Sequence, residues 1–263
     1  MAAKGCHTPA SAASLLGLVA FSPPETTSRV DAELLLLVDT SSVLSESEYG
    51  KLMEALALSF ESGEMVAVIG GGRSGRMSVR LVFYRAGSEE IACICEGEIA
   101  GAESAETFAE AIRAGSQGAM PPPQGSGDAS LLGFSESAGK RGVFVVAIGG
   151  ENRLGRTPEW DQAVRGARDA VLESGVEIIG ALTVGDPGTV DDYFADNVVG
   201  GEVGELVGAV TNVADFDGLE AALPPTLEAF VGALVPEPDS STLLGMAGMM
   251  LARKNRMLEE RTM

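Results

Sequence analysis

The chain has 263 residues, 45% of them hydrophobic, with 38 acidic against 18 basic side chains and a formal net charge of -20. This length suits one large α/β domain plus targeting segments, and an acidic surface repels phosphate backbones, so nucleic acid is excluded as an expected partner. Three cysteines (Cys6, Cys93, Cys95) make neither a disulfide framework nor a zinc site, and the single histidine, His7, lies in the leader, which excludes a histidine triad or general base.

Residues 1–28 read as a signal peptide: Lys4 supplies a positive start, residues 10–21 form an apolar run, and Pro-rich polar sequence follows. A docked or unstructured N-terminal arm is the alternative. Residues 32–38 then predict a buried strand ending on Asp39, because 34–38 is an uninterrupted apolar run of the kind covered on both faces. A hydroxyl-rich turn, Thr40-Ser41-Ser42, leads to a helix. Ser45 and Glu48 have capping-box spacing, and Leu52, Leu56 and Phe60 make one apolar stripe.

Gly70, Gly72 and Gly75 form a literal G-x-G-x-x-G after the next apolar run. A dinucleotide site needs the last glycines to open a helix. Here Met77, Val79, Leu81 and Phe83 alternate with Ser78 and Arg80, which predicts a glycine-rich loop entering a second strand. A nucleotide-binding enzyme using Gly70–Gly75 stays open as an alternative that a strand over 77–84 would end. Residues 90–95 predict a third strand, paired with the second through the 86–88 turn, with Cys93 and Cys95 on one face as buried thiols or, alternatively, as a reactive or metal-binding pair.

A helix is expected over 104–114 with Phe108 and Ile112 on one side, then a long loop over 115–127 and a short helix over 128–138. Residues 143–148 predict another buried strand, ended by Gly149-Gly150-Glu151-Asn152. Thr157 and Pro158 supply an N-cap and an N1 proline for a helix over 159–174, which Gly175 closes. Residues 176–184 predict the next strand, 191–198 a short helix, 205–210 a short strand, and 216–234 a helical region broken at Pro224-Pro225. The βαβ spacing predicts an α/β fold: a doubly wound, mostly parallel central sheet with helices on both faces. Residues 235–263 differ in kind. Pro236-Glu237-Pro238 precedes an apolar run over 243–252 and then Arg253, Lys254 and Arg256, a hydrophobic stretch closed by basic residues. The run is about half of the roughly 20 residues that a full span needs, so a short amphipathic tail is the alternative.

In an open α/β sheet, ligands sit at the carboxyl ends of the strands. Asp39, Ser41 and Ser42 fall there, and their carboxylate and hydroxyl oxygens suit a hard cation such as Mg²⁺. Capping of the turn and helix by the same residues is the structural alternative.

Two resemblances follow from these residues. The tail resembles a PEP-CTERM sorting signal in the order Pro236-Glu237-Pro238, apolar 243–252, and Arg253-Lys254-Arg256. That resemblance implies export, cleavage by an exosortase-type membrane enzyme, transient inner-membrane contact through the tail, and a place at the cell surface, outer membrane or extracellular matrix. Residues 29–234 resemble a von Willebrand factor type A domain, in particular a bacterial family of unknown function. Val38-Asp39-Thr40-Ser41 is similar to the start of its metal-ion-dependent adhesion site, and Glu48-Tyr49, Phe108-Ala109-x-Ala111-Ile112 and Tyr193-Phe194-x-x-Asn197-Val198-Val199-Gly200-Gly201 are similar to segments of the bacterial family. The resemblance implies metal ligation by Asp39 and Ser41, with Asp128, or alternatively Ser126, in the place of the usual threonine, and with Gly150 at the usual aspartate position and Glu151 beside it. Val43 replaces the second serine of the motif and cannot ligate, so the site is degenerate, either a more acidic cation pocket or a remnant. The expected function is an exported, non-enzymatic binding module for an extracellular protein or polysaccharide. A matrix scaffold without a ligand is the further alternative.

Overall fold

The computed structural model describes residues 29–39, 44–84, 91–116, 134, 139–148, 157–185, 189–204 and 206–236. The elements run β1 (Ala32–Asp39), α1 (Glu46–Glu61), α2 (Gly63–Gly70), β2 (Met77–Tyr84), β3 (Ile91–Ile99), α3 (Ala102–Ser116), β4 (Lys140–Ile148), α4 (Pro158–Glu173), β5 (Ile178–Val184), α5 (Thr189–Asn197), β6 (Gly200–Val203), β7 (Leu206–Val207), β8 (Val210–Val213) and α6 (Phe216–Leu234). The expected signal peptide, the 128–138 helix (apart from Phe134) and the sorting tail beyond Pro236 lie outside the described residues.

The strands form one sheet in the order β3-β2-β1-β4-β5-β6-β7, with β8 also paired to β5. β2, β1, β4, β5 and β8 run parallel, while β3, β6 and β7 join antiparallel. The uninterrupted apolar run of β1 has its reason in the two layers that cover it. Leu34, Leu36 and Val38 pack into a core shared with α1, α2, α3 and α6. Leu35 and Leu37 pack into a second core with Val164 and Val171 of α4 and Tyr193 and Phe194 of α5. Strand alternation separates the two sets, so both faces must be apolar.

Helix α1 begins as expected. Ser45 Oγ accepts from the Glu48 N–H at 3.2 Å, and a Glu48 carboxylate oxygen accepts from the Ser45 N–H at 2.8 Å. Leu52, Leu56 and Phe60 are fully buried. Arg113 of α3 ties that helix to α1: its Nε and Nη2 donate to Glu54 at 2.9 Å each, and it also pairs with Glu61.

Two expectations require correction, and one run that the pattern left unassigned becomes a helix. The unassigned apolar stretch before the glycines is helix α2, which Ser62 starts: its Oγ accepts from the Met65 N–H at 3.0 Å while its own N–H closes α1 on Leu58. Prolines 224 and 225 do not break α6, which runs through them as one helix. They remove the donors to the carbonyls of Glu220 and Ala221, and both of those residues are exposed, where solvent can take the place of the lost partners. Buried Leu219, Leu223, Leu227, Phe230, Val231 and Leu234 hold the helix to the core. Finally, Cys93 and Cys95 do not share a face. The register with β2 shifts between Leu81 and Val82, so Cys95 pairs with Leu81 and Cys93 with Val82, and Ile94 is the bulged residue. Leu81 and Val82 belong to opposite cores. Both thiols are half-buried and free, and burial pushes both upward, Cys95 to about 12, which makes them poor nucleophiles and metal ligands.

Candidate functional site

The parallel strands bring Asp39, Tyr84, Ile148 and Val184 to one edge of the sheet, its carboxyl edge. Asp39 ends β1 there and is half-buried. Alternation places it on the side of Leu35 and Leu37, the face covered by α4 and α5. Its register partner is Tyr84, whose side chain is buried in that same core. Burial holds the Tyr84 phenol well above the ordinary tyrosine range, and the nearby Asp39 carboxylate and then Tyr193 push it further. The site therefore contains a carboxylate at the rim, backed by a phenol that stays neutral. Tyr193 comes from α5 and stacks edge-on against Phe194 at 5.8 Å.

Of the expected ligands, only Asp39 lies within the described residues; Ser41, Asp128 and Glu151 lie outside them. Among the described residues no group of three His, Cys, Asp or Glu side chains is placed to hold a metal ion. A donor set confined to carboxylates and hydroxyls fits a hard cation in chemical type, with Asp39 as its sheet-borne member.

A second polar group on the carboxyl edge has no sequence signature. Thr183 is buried in β5 and donates its hydroxyl to Asp191 Oδ1 at 2.5 Å. The Asn212 amide on β8 donates to Thr183 Oγ1 at 3.0 Å, to Asp191 Oδ1 at 3.1 Å and to the Gly185 carbonyl at 3.4 Å. Asp191 also lies in the first turn of α5, where a carboxylate meets the positive end of the helix dipole. These bonds fasten the loop after β5 to β8 and set the position of α5, which carries Tyr193. The three residues are spread over three elements and 30 positions, so only tertiary structure assembles them.

The glycine motif has a different role from the nucleotide alternative. Gly70 ends α2, and the loop after it enters β2 rather than a helix. It lies at the amino edge, opposite Asp39, and its anion is supplied by the chain itself. The Asp31 carboxylate accepts from the backbone N–H of Ser74 at 2.7 Å, Gly75 at 2.7 Å and Arg76 at 3.4 Å. A Cβ on Gly72 would stand 2.4 Å from Asp31 Oδ2, and Gly75 sits at φ +66°. The turn is glycine-rich because it closes around a buried side-chain carboxylate, which fills the place a phosphate would need.

A family model described as "Protein of unknown function (DUF1194)" matches residues 29–221. No curated protein matches the sequence. Among solved structures, 44 chains match. They include the pilus adhesin SpaC from Lactobacillus rhamnosus GG, with 12% identity, TM-score 0.46, and coverage of 81% of this chain and 32% of the other. A von Willebrand factor type A protein from Catenulispora acidiphila has 12% identity, TM-score 0.42, and coverage of 78% and 43%. A mutant of the PilB minor pilin from Streptococcus sanguinis has 10% identity, TM-score 0.43, and coverage of 80% and 63%. The chain thus spans less than two thirds of the length of each of these structures.

Proposed function

We propose, from the premise that this chain belongs to the family described as protein of unknown function (DUF1194), that it is an exported, non-enzymatic binding module with a von Willebrand factor type A-like architecture. It presents the carboxyl edge of its sheet to an extracellular protein or polysaccharide. One observation carries the reading: a mostly parallel sheet delivers a half-buried carboxylate, Asp39, at the end of its first strand to the edge where such folds bind their ligands. Asp39 would hold a divalent cation such as Mg²⁺ from the sheet side, with oxygens of Ser41, Asp128 and Glu151 as further donors. The cation supplies a bridge to an acidic group of the partner. Val43, where the adhesion motif has its second serine, makes this a degenerate version of that site.

The ordered Pro236-Glu237-Pro238, apolar and basic segments of the tail support export and removal of the tail by an exosortase-type enzyme. No helix among the described residues is long and apolar enough to cross a membrane. The nucleotide-binding version of the enzyme alternative loses its support, because the glycine loop it needs leads into a strand and already encloses Asp31.

Isothermal titration of the chain with Mg²⁺, Mn²⁺ and Ca²⁺ tests the cation. Heat that saturates near one equivalent in the wild type and vanishes in Asp39→Ala supports it. Identical traces for the two proteins remove the ion from the mechanism. Retention on extracellular polymer, measured with and without a chelator, then separates a cation-bridged module from a matrix scaffold, whose retention a chelator leaves unchanged.

A further inference from the structure

The outermost strand, β3, carries a second surface, distinct from the carboxyl edge. β3 ends the strand order, and among the described residues it pairs with β2 alone, so no described strand covers its other flank. An open flank is a template for another extended chain unless it is kinked or charged against one. The bulge at Ile94 kinks the first half of β3, whereas residues 95–99 keep unbroken register with Met77–Leu81. Beside this regular half, a groove of about 610 Å³ separates β3 from α3, lined by Gly97, Glu98, Glu103, Thr107 and Phe108 among others. Gly97 keeps the groove open at its base: a Cβ there would come within 3.3 Å of the Phe108 ring.

The charges along this flank have an order. Glu96 and Glu98 are two residues apart and share a face. Each pairs inward with an arginine, Glu96 with Arg80 of β2 at 3.0 Å and Glu98 with Arg76, one residue before β2, at 2.9 Å. The Glu96 side chain is still 64% exposed. Glu96 stands directly opposite Arg80, Glu98 stands opposite Ser78 and reaches Arg76 diagonally, and both glutamates come last before the outer flank, where the complementary next charge is a cation. We propose that this flank is a strand-addition site for an extended segment of a partner protein that carries Lys or Arg at two alternate positions. The two basic side chains meet Glu96 and Glu98 on one face, and the residue between them lies on the α3 side over Phe108. A second copy of this chain is the wrong occupant, because it brings further glutamates and another net charge of -20 to the same edge.

The test uses the full chain and a fluorescein-labelled peptide, acetyl-Val-Lys-Val-Lys-Val-amide, with Lys-Lys-Val-Val-Val and Val-Glu-Val-Glu-Val as controls. Fluorescence anisotropy should show saturable binding of the alternating lysine peptide only, weakened about tenfold in E96K/E98K by reversal of the two cross-strand pairs. Thr107→Trp fills the groove without touching the β2–β3 ladder, and it should weaken binding even if the double reversal disturbs folding. Amide exchange should slow at residues 95–99 when the peptide binds. Equal binding of the two lysine peptides, binding unchanged by both variants, or protection elsewhere overturns the proposal. So does β3 protection in the free chain, caused by self-association or by its own tail.

Discussion

Asp31 is a buried carboxylate whose partners are backbone N–H groups rather than a cation. Charge-assisted bonds of this kind are strong, and removal of the acceptor leaves donors with no replacement. Asp31→Ala should therefore cost about 3 kcal/mol, read from urea denaturation. Gly72→Ala should cost about 2 kcal/mol by crowding Asp31 and Val235, with binding at the carboxyl edge unaffected. Tyr84 and Cys95 give the pH dependence its sign. Burial raises both groups in the folded state, Cys95 from 9.0 to about 12 and the Tyr84 phenol to well above 10.0. The folded chain binds more protons than the unfolded chain above those ordinary values. This stability is fully present below about pH 9 and is lost as pH rises toward the raised values, first through the thiol and then through the phenol. Urea midpoints measured from pH 8 to 11.5 should fall steeply for the wild type and less steeply for Tyr84→Phe. Neither the Asp31 cradle nor the Thr183–Asp191–Asn212 group was legible in the sequence, because their partners are set by which loops and strands adjoin in three dimensions.

At the scale of elements, the patterns that were legible are those whose cause is local. Continuous apolar runs located β1 and β4, alternation located β2, the βαβ spacing accommodated β5, and the Ser45–Glu48 spacing located the start of α1. That cap yields its own prediction: Ser45→Ala should cost about 1 kcal/mol, visible as a fall in Tm of about 2–4 °C. The elements missed or read wrongly are those where packing overrides local preference. The segment Gly63–Gly70 is short and mostly apolar, so its pattern assigns it to no element, and packing makes it α2 with Met65 and Ile69 buried. Pro224 and Pro225 would end a solvated helix, but six buried apolar side chains hold α6 together across them. The face shared by Cys93 and Cys95 followed from strict alternation, and a one-residue bulge at Ile94 reversed it. For the site, the position of Asp39 was legible because a buried parallel strand must end at the carboxyl edge. The phenol behind it was not, since Tyr84 reads only as the last residue of an ordinary strand.

For the whole molecule, the governing fact is a net charge of -20 around a sheet covered on two faces. Self-repulsion of that size destabilises the compact state, and any added cation relieves it. A thermal shift on adding Mg²⁺ is therefore not by itself a sign of a site at Asp39. The two effects part when ionic strength is held constant. Replacing NaCl with MgCl₂ at equal ionic strength leaves general screening nearly the same, while occupancy of a specific site adds RT ln(1 + [L]/Kd), about 2.7 kcal/mol at a hundredfold excess over Kd. Wild type should rise in Tm with NaCl alone, rise by several further degrees with MgCl₂, and fall back on addition of EDTA. Asp39→Asn should keep the NaCl rise and lose the Mg²⁺ increment. If both proteins keep the increment, the ion acts through the general acidity of the surface, and Asp39 meets its partner as a bare carboxylate. In that case the partner must bring the positive charge or the hydrogen-bond donors itself, since a second carboxylate could not approach the first without a cation between them.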